Sequence, residues 1–225
     1  MGALYIIATP IGNLKDITLR AIEVLKESDV ILCEDTRVAR KLLWHYNIHK
    51  PLISCHQHSS QKIYHRILEA LKRGKKLALV TDSGTPGISD PGSRLINFII
   101  QRLPDINIIP IPGPSALTAA LSVAGITKNK FVFLGFPPAK KGRNKFFSAL
   151  QRIQAKDMPV VFYESPHRIE RTLKDLAAVL DKETNVVVCR ELTKIHEEIF
   201  RGSIQDALSY FHGERQKGEF VVVIA

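Results

Sequence analysis

The chain of 225 residues is 45% hydrophobic and carries a formal net charge of +10, enough apolar material for one large domain or two smaller ones and a charge that favours an anionic partner. No apolar run approaches the roughly 20 residues that span a bilayer, and no basic, apolar, small-residue leader opens the chain, so a soluble, cytoplasmic protein without membrane association is expected. Cys33, Cys55 and Cys189 are odd in number and lack C-x-x-C spacing, which argues against a disulfide framework or a zinc site and predicts reduced thiols and no metal.

Leu4 to Ala8 reads as an apolar strand, followed by the loop Thr9-Pro10-Ile11-Gly12-Asn13-Leu14 and by Asp16 as a helix cap. Ile17, Ala21, Val24 and Leu25 then recur at helical spacing. Val30 to Cys33 is a second strand that ends in Glu34-Asp35-Thr36-Arg37, and Ala39 to Leu43 is helical. Leu52-Ile53 is a short strand, and Ser59 or Ser60 opens a helix carrying Ile63, Ile67, Leu68 and Leu71, stopped by Gly74. Between Arg37 and Lys76 stand ten Lys or Arg and five His against the single acid Glu69. The histidines show no metal spacing, so solvent or RNA is their expected surrounding.

Leu77 to Val80 is a buried-strand pattern that runs into the longest loop of the first half, Thr81 to Asp90. Pro86-Gly87 fits the central positions of a type II turn, and Asp90-Pro91 fits an N-cap followed by proline at the first helical position. Loops of two to six residues suffice for an ordinary strand-to-helix connection, so a ligand site beyond the strand's carboxyl end is expected here. Leu95, Phe98, Ile99 and Leu103 form a helix, Asn107 to Ile111 a strand, and Pro112-Gly113-Pro114-Ser115-Ala116 leads into a small-residue helix ended by Gly125. Five strand-like runs alternating with helices predict a parallel α/β domain over residues 1–112, with a second α/β domain over 113–225.

The second half offers strands at Phe131 to Gly135, Pro159 to Tyr163, Val186 to Cys189, Ile199-Phe200 and Phe220 to Ile224. One helix face carries Ile169, Leu173, Leu176 and Leu180, and Ser203 with Asp206 forms a capping box for a last helix. From Lys128 to Lys145 there are six Lys or Arg and no acid, a second basic patch. An apolar strand at the very terminus leads one to expect that more chain follows.

TPIGNLKDIT (Thr9 to Thr18), EDTR (Glu34 to Arg37), SGTPGISDPG (Ser83 to Gly92), PGPSAL (Pro112 to Leu117), FYESPHR (Phe162 to Arg168), CRELTK (Cys189 to Lys194) and GEFVVVIA (Gly218 to Ala225) occur in that order over nearly the whole chain. Together they resemble the small-subunit ribosomal RNA methyltransferases of the tetrapyrrole methylase superfamily. The resemblance implies two α/β domains with S-adenosylmethionine in a cleft between them, a homodimer, and methylation of a cytidine ribose 2′-hydroxyl in ribosomal RNA or the small ribosomal subunit. The small helical extension that such proteins usually carry beyond the last strand has no match in these residues, which is expected to bear on RNA engagement more than on cofactor binding.

Carried over residue by residue, the resemblance implies cofactor contacts at Pro10, Ile11, Asp82, Gly84, Thr85, Ser115, Ala116, Phe162, Tyr163 and Cys189. The dinucleotide fingerprint G-x-G-x-x-G is absent. Asp35, Glu164 and His167 stand just past strand ends and are candidate general bases, or else caps and salt-bridge partners of Arg37 and Arg168. Arg37, Arg40, Lys140, Lys141, Arg143, Lys145 and Arg168 are candidate phosphate contacts, or solvated charges. Two rivals remain open: a methylase of an anionic tetrapyrrole precursor, which the basic patches also suit, and a non-enzymatic RNA-binding module.

Overall fold

The computed structural model describes residues 2–56, 59–90 and 92–225. By internal contacts the chain divides into two units, Met1–Ser115 and Ala116–Ala225, three residues later than the boundary expected after Pro112. Among the described residues no helix is long and apolar enough to cross a membrane.

In the first unit five strands alternate with four helices: β1 (Ala3–Ile7), α1 (Leu19–Glu27), β2 (Val30–Cys33), α2 (Thr36–His45), β3 (Leu52–Ser54), α3 (Gln61–Lys72), β4 (Lys76–Val80), α4 (Gly92–Ile100) and β5 (Asn107–Ile111). The strand order is β3-β2-β4-β1-β5, and every pairing is parallel. The near-continuous apolar runs follow from that arrangement, because side chains alternate between two covered faces. Ile7, Ile31, Cys33, Ala78 and Val80 meet α1 and α2 through Ala21, Leu25, Ala39 and Leu42. Leu4, Leu32, Leu77 and Leu79 meet α3 and α4 through Ile67, Leu71, Leu95 and Ile99. At about 1.5 to 3 kcal/mol per fully buried aliphatic side chain, these two layers are what hold the sheet.

Local signals set the element ends. α1 is capped by Thr18, whose Oγ1 accepts from the Ala21 amide at 3.1 Å, and not by Asp16. That carboxylate lies in a short 3-10 turn, Leu14–Asp16, which Asn13 caps. The Asp35 side chain caps α2. Ser60 precedes α3 without a side-chain cap bond. Gly74 takes φ +82° at the helix stop. The expected proline at the first position of α4, Pro91, lies outside the described residues.

The second unit contains α5 (Ala116–Val123), β6 (Val132–Phe133), α6 (Arg143–Gln154), β7 (Val160–Glu164), α7 (Ile169–Val179), β8 (Asn185–Arg190), β9 (Glu198–Ser203), α8 (Ile204–Tyr210) and β10 (Phe220–Ile224). Its sheet runs β6-β7-β10-β8-β9. The last strand is therefore the central one, antiparallel to β7 and β8 and buried at all five positions. Phe147, Phe162, Leu173, Leu176, Phe211, Phe220 and Val222 form the core on one face of this sheet. The Ser203 capping box is present. α6 was not anticipated, and the strand expected over residues 131–135 is only two residues long.

Candidate active site

In the first unit, the direction in which each strand hands over to its helix marks one place on the sheet. β1 and β2 lead to α1 and α2 on one face, whereas β4, lying between them, leads to α4 on the other. A crevice beyond the carboxyl end of β4 is the consequence, at the switch point where α/β sheets bind ligands.

Four loops meet there. Thr9 and Gly84 exchange backbone hydrogen bonds, Thr9 N–H to Gly84 O at 2.9 Å and Gly84 N–H to Thr9 O at 3.1 Å, which joins the loop after β1 to the loop after β4. The buried Thr9 hydroxyl donates to the Thr81 carbonyl at 3.1 Å. Thr85 donates to the Pro114 carbonyl at 3.1 Å and ties in the loop after β5. The Asp35 amide donates to Asp82 Oδ1 at 3.1 Å, tying in the exit of β2. Gly84 adopts φ +82°, a left-handed conformation that favours glycine there. A Cβ at Gly113 would come within 3.1 Å of Ala8 Cβ.

The cofactor contacts expected in this unit are accordingly gathered by the fold. Pro10, Ile11 and Gly84 are buried, Thr85 and Ser115 are half-buried, and Asp82 is exposed. Ala116 is the first residue of α5 and belongs to the second unit. The strand order also reveals a residue that sequence reading took only for a cap. Asp90 titrates at about 6 because burial raises it and the charges of Glu34 and Asp82 raise it further, against a hydrogen bond from Thr81. Glu34 is raised as well, by burial and then by Asp82. Three carboxylates thus face one another across the ends of β2 and β4. Among the described residues no group of three His, Cys, Asp or Glu is disposed to hold a metal ion.

Asp35, a candidate base, has other partners. Its Oδ1 accepts from the Arg37 amide at 2.7 Å and its Oδ2 from the Arg37 guanidinium at 2.6 Å. Those bonds hold its pKa down to about 2, a basicity too low for effective proton abstraction near neutral pH.

In the second unit Glu164 ends β7 with its side chain fully shielded. Oε1 accepts from the Ser165 amide at 2.7 Å and pairs with Arg168 at 2.8 Å, while Oε2 accepts from the Thr172 hydroxyl at 2.5 Å. Thr172 in turn accepts from Arg143 at 2.7 Å, and Arg143 also binds Asp175 at 2.6 Å and the Pro138 carbonyl at 3.1 Å. This arrangement corrects three expectations. Glu164 is shielded from solvent with both oxygens engaged, which closes it to a substrate proton. Arg143 is 3% exposed and cannot reach a phosphate. The Arg168 guanidinium is occupied by Glu164, Ser165 and the Pro137 carbonyl.

Phe162 and Cys189 need correction too, since both side chains are fully buried, Phe162 in the core. Burial pushes the Cys189 thiol up to about 11, so only their backbone is available to a ligand. Tyr163 is half-buried and packs edge-on against Phe133 at 4.9 Å. His167 is exposed at the exit of β7, and Lys140, Lys141 and Lys145 are exposed along the start of α6. In the first basic patch, Arg37 and Arg40 are exposed, but Lys72, Lys75 and Lys76 are paired with Glu69, Asp29 and Glu27.

Known proteins match this chain over its whole length. The family model for tetrapyrrole (corrin/porphyrin) methylases matches residues 3–208. A protein of Synechocystis sp. named ribosomal RNA small subunit methyltransferase I is 45% identical over 225 residues, covering 100% of this chain and 79% of its own length. A protein of the same name from Thermotoga maritima is 44% identical, covering 100% of this chain and 99% of its own length. A long C-terminal extension is therefore not common to all proteins of that name. Among solved structures, the methyltransferase CobJ superimposes with a TM-score of 0.73 at 20% identity, covering 100% of this chain and 94% of CobJ. A diphthine synthase superimposes with a TM-score of 0.74 at 15% identity, covering 100% and 90%. At those identities the two structures establish the shared fold.

Proposed function

The chain belongs to the tetrapyrrole methylase family, and from that footing we propose that it methylates the 2′-hydroxyl of a cytidine ribose in small-subunit ribosomal RNA, drawing on S-adenosylmethionine. The observation that carries the substrate is the contrast in identity. Two proteins named for the small ribosomal subunit match at 44–45% over this whole chain, whereas the corrin enzyme and the diphthine synthase match at 20% and 15%. A tetrapyrrole substrate is the weaker reading for that reason.

The residues at the carboxyl end of β4 fit the cofactor. Asp82 is an exposed acceptor suited to an ammonium or ribose hydroxyl, and Gly113, where a Cβ would press on Ala8, lets the loop after β5 pack closely against the exit of β1. Bound S-adenosylmethionine supplies an electrophilic methyl group on a sulfonium. The chain's part is to hold an RNA hydroxyl in line with it, and such positioning contributes up to roughly 7 to 11 kcal/mol. With Asp35 and Glu164 committed to their own partners, His167 is the group we assign to taking the hydroxyl proton, worth about 10² to 10⁴-fold. Arg37, Arg40, Lys140, Lys141 and Lys145 are assigned to RNA phosphates, which need exposed cations. We infer a homodimer acting in the cytoplasm; light scattering at micromolar concentration that finds only a 25.2 kDa species contradicts the dimer.

The test is a filter assay with methyl-labelled cofactor, offered unmodified small ribosomal subunits in one arm and an anionic tetrapyrrole precursor in the other. Label is expected in the RNA, at one nucleotide whose ribose resists alkaline cleavage. Label in the tetrapyrrole arm, or on a base, overturns the reading.

A further inference from the structure

The single tryptophan of the chain, Trp44, lies on the surface of α2 with 67% of its area exposed. Trp is on average a highly buried residue, and α2 has an apolar side available, made of Ala39, Leu42 and Leu43. The exposed side holds Arg37, Arg40, Lys41 and Trp44, a spacing of i, i+3, i+4 and i+7 that sets them along one ridge. The helix contains no acid, and among the described residues Arg40 and Lys41 take part in no ion pair, unlike Arg37, which Asp35 holds. Beside the indole is a hollow of about 370 Å³ that Arg40, His49, Lys50 and Pro51 help to line.

We propose that this ridge is a stacking platform for single-stranded RNA, with one base lying on the Trp44 indole and the flanking phosphates on Arg40, Lys41 and Lys50. An aromatic face gives a base a stacking surface whatever its identity, and cations alongside neutralise the backbone; this pairing is how single strands are held without sequence readout. Charge decides the occupant. A protein partner of ordinary surface composition gains nothing from three unmatched cations around one indole, whereas a polyanion with π-faces uses both.

The ridge is outside the loops assigned to the cofactor. α2 starts where the Asp35 amide meets Asp82, and at 1.5 Å per residue Trp44 stands about 12 Å further along the helix axis from Thr36. A strand with its target ribose at the carboxyl edge of the sheet would thus run along α2 and place a base some nucleotides away on Trp44. The proposal rests on the RNA reading given above and adds to it the element that grips the strand.

With only one tryptophan, indole emission, excited selectively over tyrosine, reports on this position alone. A dye-labelled single-stranded oligoribonucleotide is titrated into the intact chain while anisotropy and indole emission are read together. Emission is expected to be quenched in step with the anisotropy rise. Trp44→Ala should weaken binding about ten-fold, Trp44→Phe should restore most of it, and Arg40→Gln should lower the salt slope by about one. Both positions are exposed, so the unfolding midpoints of the three variants should match the parent and serve as the control. RNA binding with unquenched emission and an unaffected Trp44→Ala variant overturns the platform while leaving the RNA reading intact. No RNA binding at all overturns both. Emission that changes with protein concentration before RNA is added, and dimerisation lost in Trp44→Ala, would make the face a contact between copies and overturn the platform.

Discussion

β4 and β7 end alike in sequence and differently in space. Each is an apolar run that closes on a carboxylate, Asp82 after Val80-Thr81 and Glu164 after Tyr163, ahead of a polar loop and a helix. Asp82 stays exposed, and its charge adds to burial in raising the proton affinity of the half-buried Glu34 and Asp90. Glu164 is shielded and saturated by Ser165, Arg168 and Thr172. An acid at a strand exit is therefore open to a ligand where the fold leaves it exposed, and a brace where the fold surrounds it with donors. The pattern in the sequence is the same for both.

The largest expected effect lies at the brace. Glu164→Ala leaves Arg168 and the Thr172 to Arg143 chain without their acceptor, and breaking a buried pair from one side costs about 3 to 5 kcal/mol. Urea unfolding should show that loss, with the remaining folded protein binding cofactor as before. A variant of parental stability would move Glu164 to the functional side of the comparison.

Asp82→Ala should do the opposite, weakening S-adenosylmethionine binding by about 1.5 to 3 kcal/mol while the unfolding curve hardly moves. Asp82→Asn, which keeps an oxygen for the Asp35 amide, should retain the loop arrangement and lose only what depends on charge. Unchanged affinity in both variants, measured by calorimetry, would remove Asp82 from the site.

Smaller still is the pH effect at Asp90. Its folded pKa of about 6 lies above the ordinary carboxylate value of 3.8, so the native state holds the proton more tightly than the unfolded chain. Stability from this group is full below the unfolded pKa and declines as pH rises through about 6. Asp90→Asn keeps a partner for Thr81 and cannot ionise. Its unfolding midpoint relative to the parent should climb between pH 4 and 7 and level off above. A difference independent of pH would contradict the carboxylate cluster.

How much of this was legible beforehand depends on distance along the chain. Strands with five apolar residues and helices with clean spacing could be read locally, and so could the Ser203 capping box. α6 was missed even though Phe146, Phe147, Leu150 and Ile153 repeat at helical spacing, because the cations from Lys140 to Lys145 gave the segment the look of an exposed basic loop. Arg143 was misplaced for the same reason. Its burial depends on Thr172 and Asp175, about thirty residues on, and a run of like charges carries no sign of which member turns inward. Asp16 and Thr18 both suit a helix cap, and local geometry alone chose between them. The carboxylate cluster could not be read at all, since Glu34, Asp82 and Asp90 meet only because β2 and β4 are neighbours, and strand order is not written in any one segment.

The central claim, that the cofactor lies against the loops at the carboxyl end of the parallel sheet, is tested most directly by amide hydrogen exchange with and without saturating S-adenosylmethionine. Slowed exchange is expected over residues 9–14, 81–90 and 113–115, with the amide of Asp35 following its bond to Asp82. Protection confined to residues 116–225, with those three loops exchanging at the same rate in both states, would contradict it.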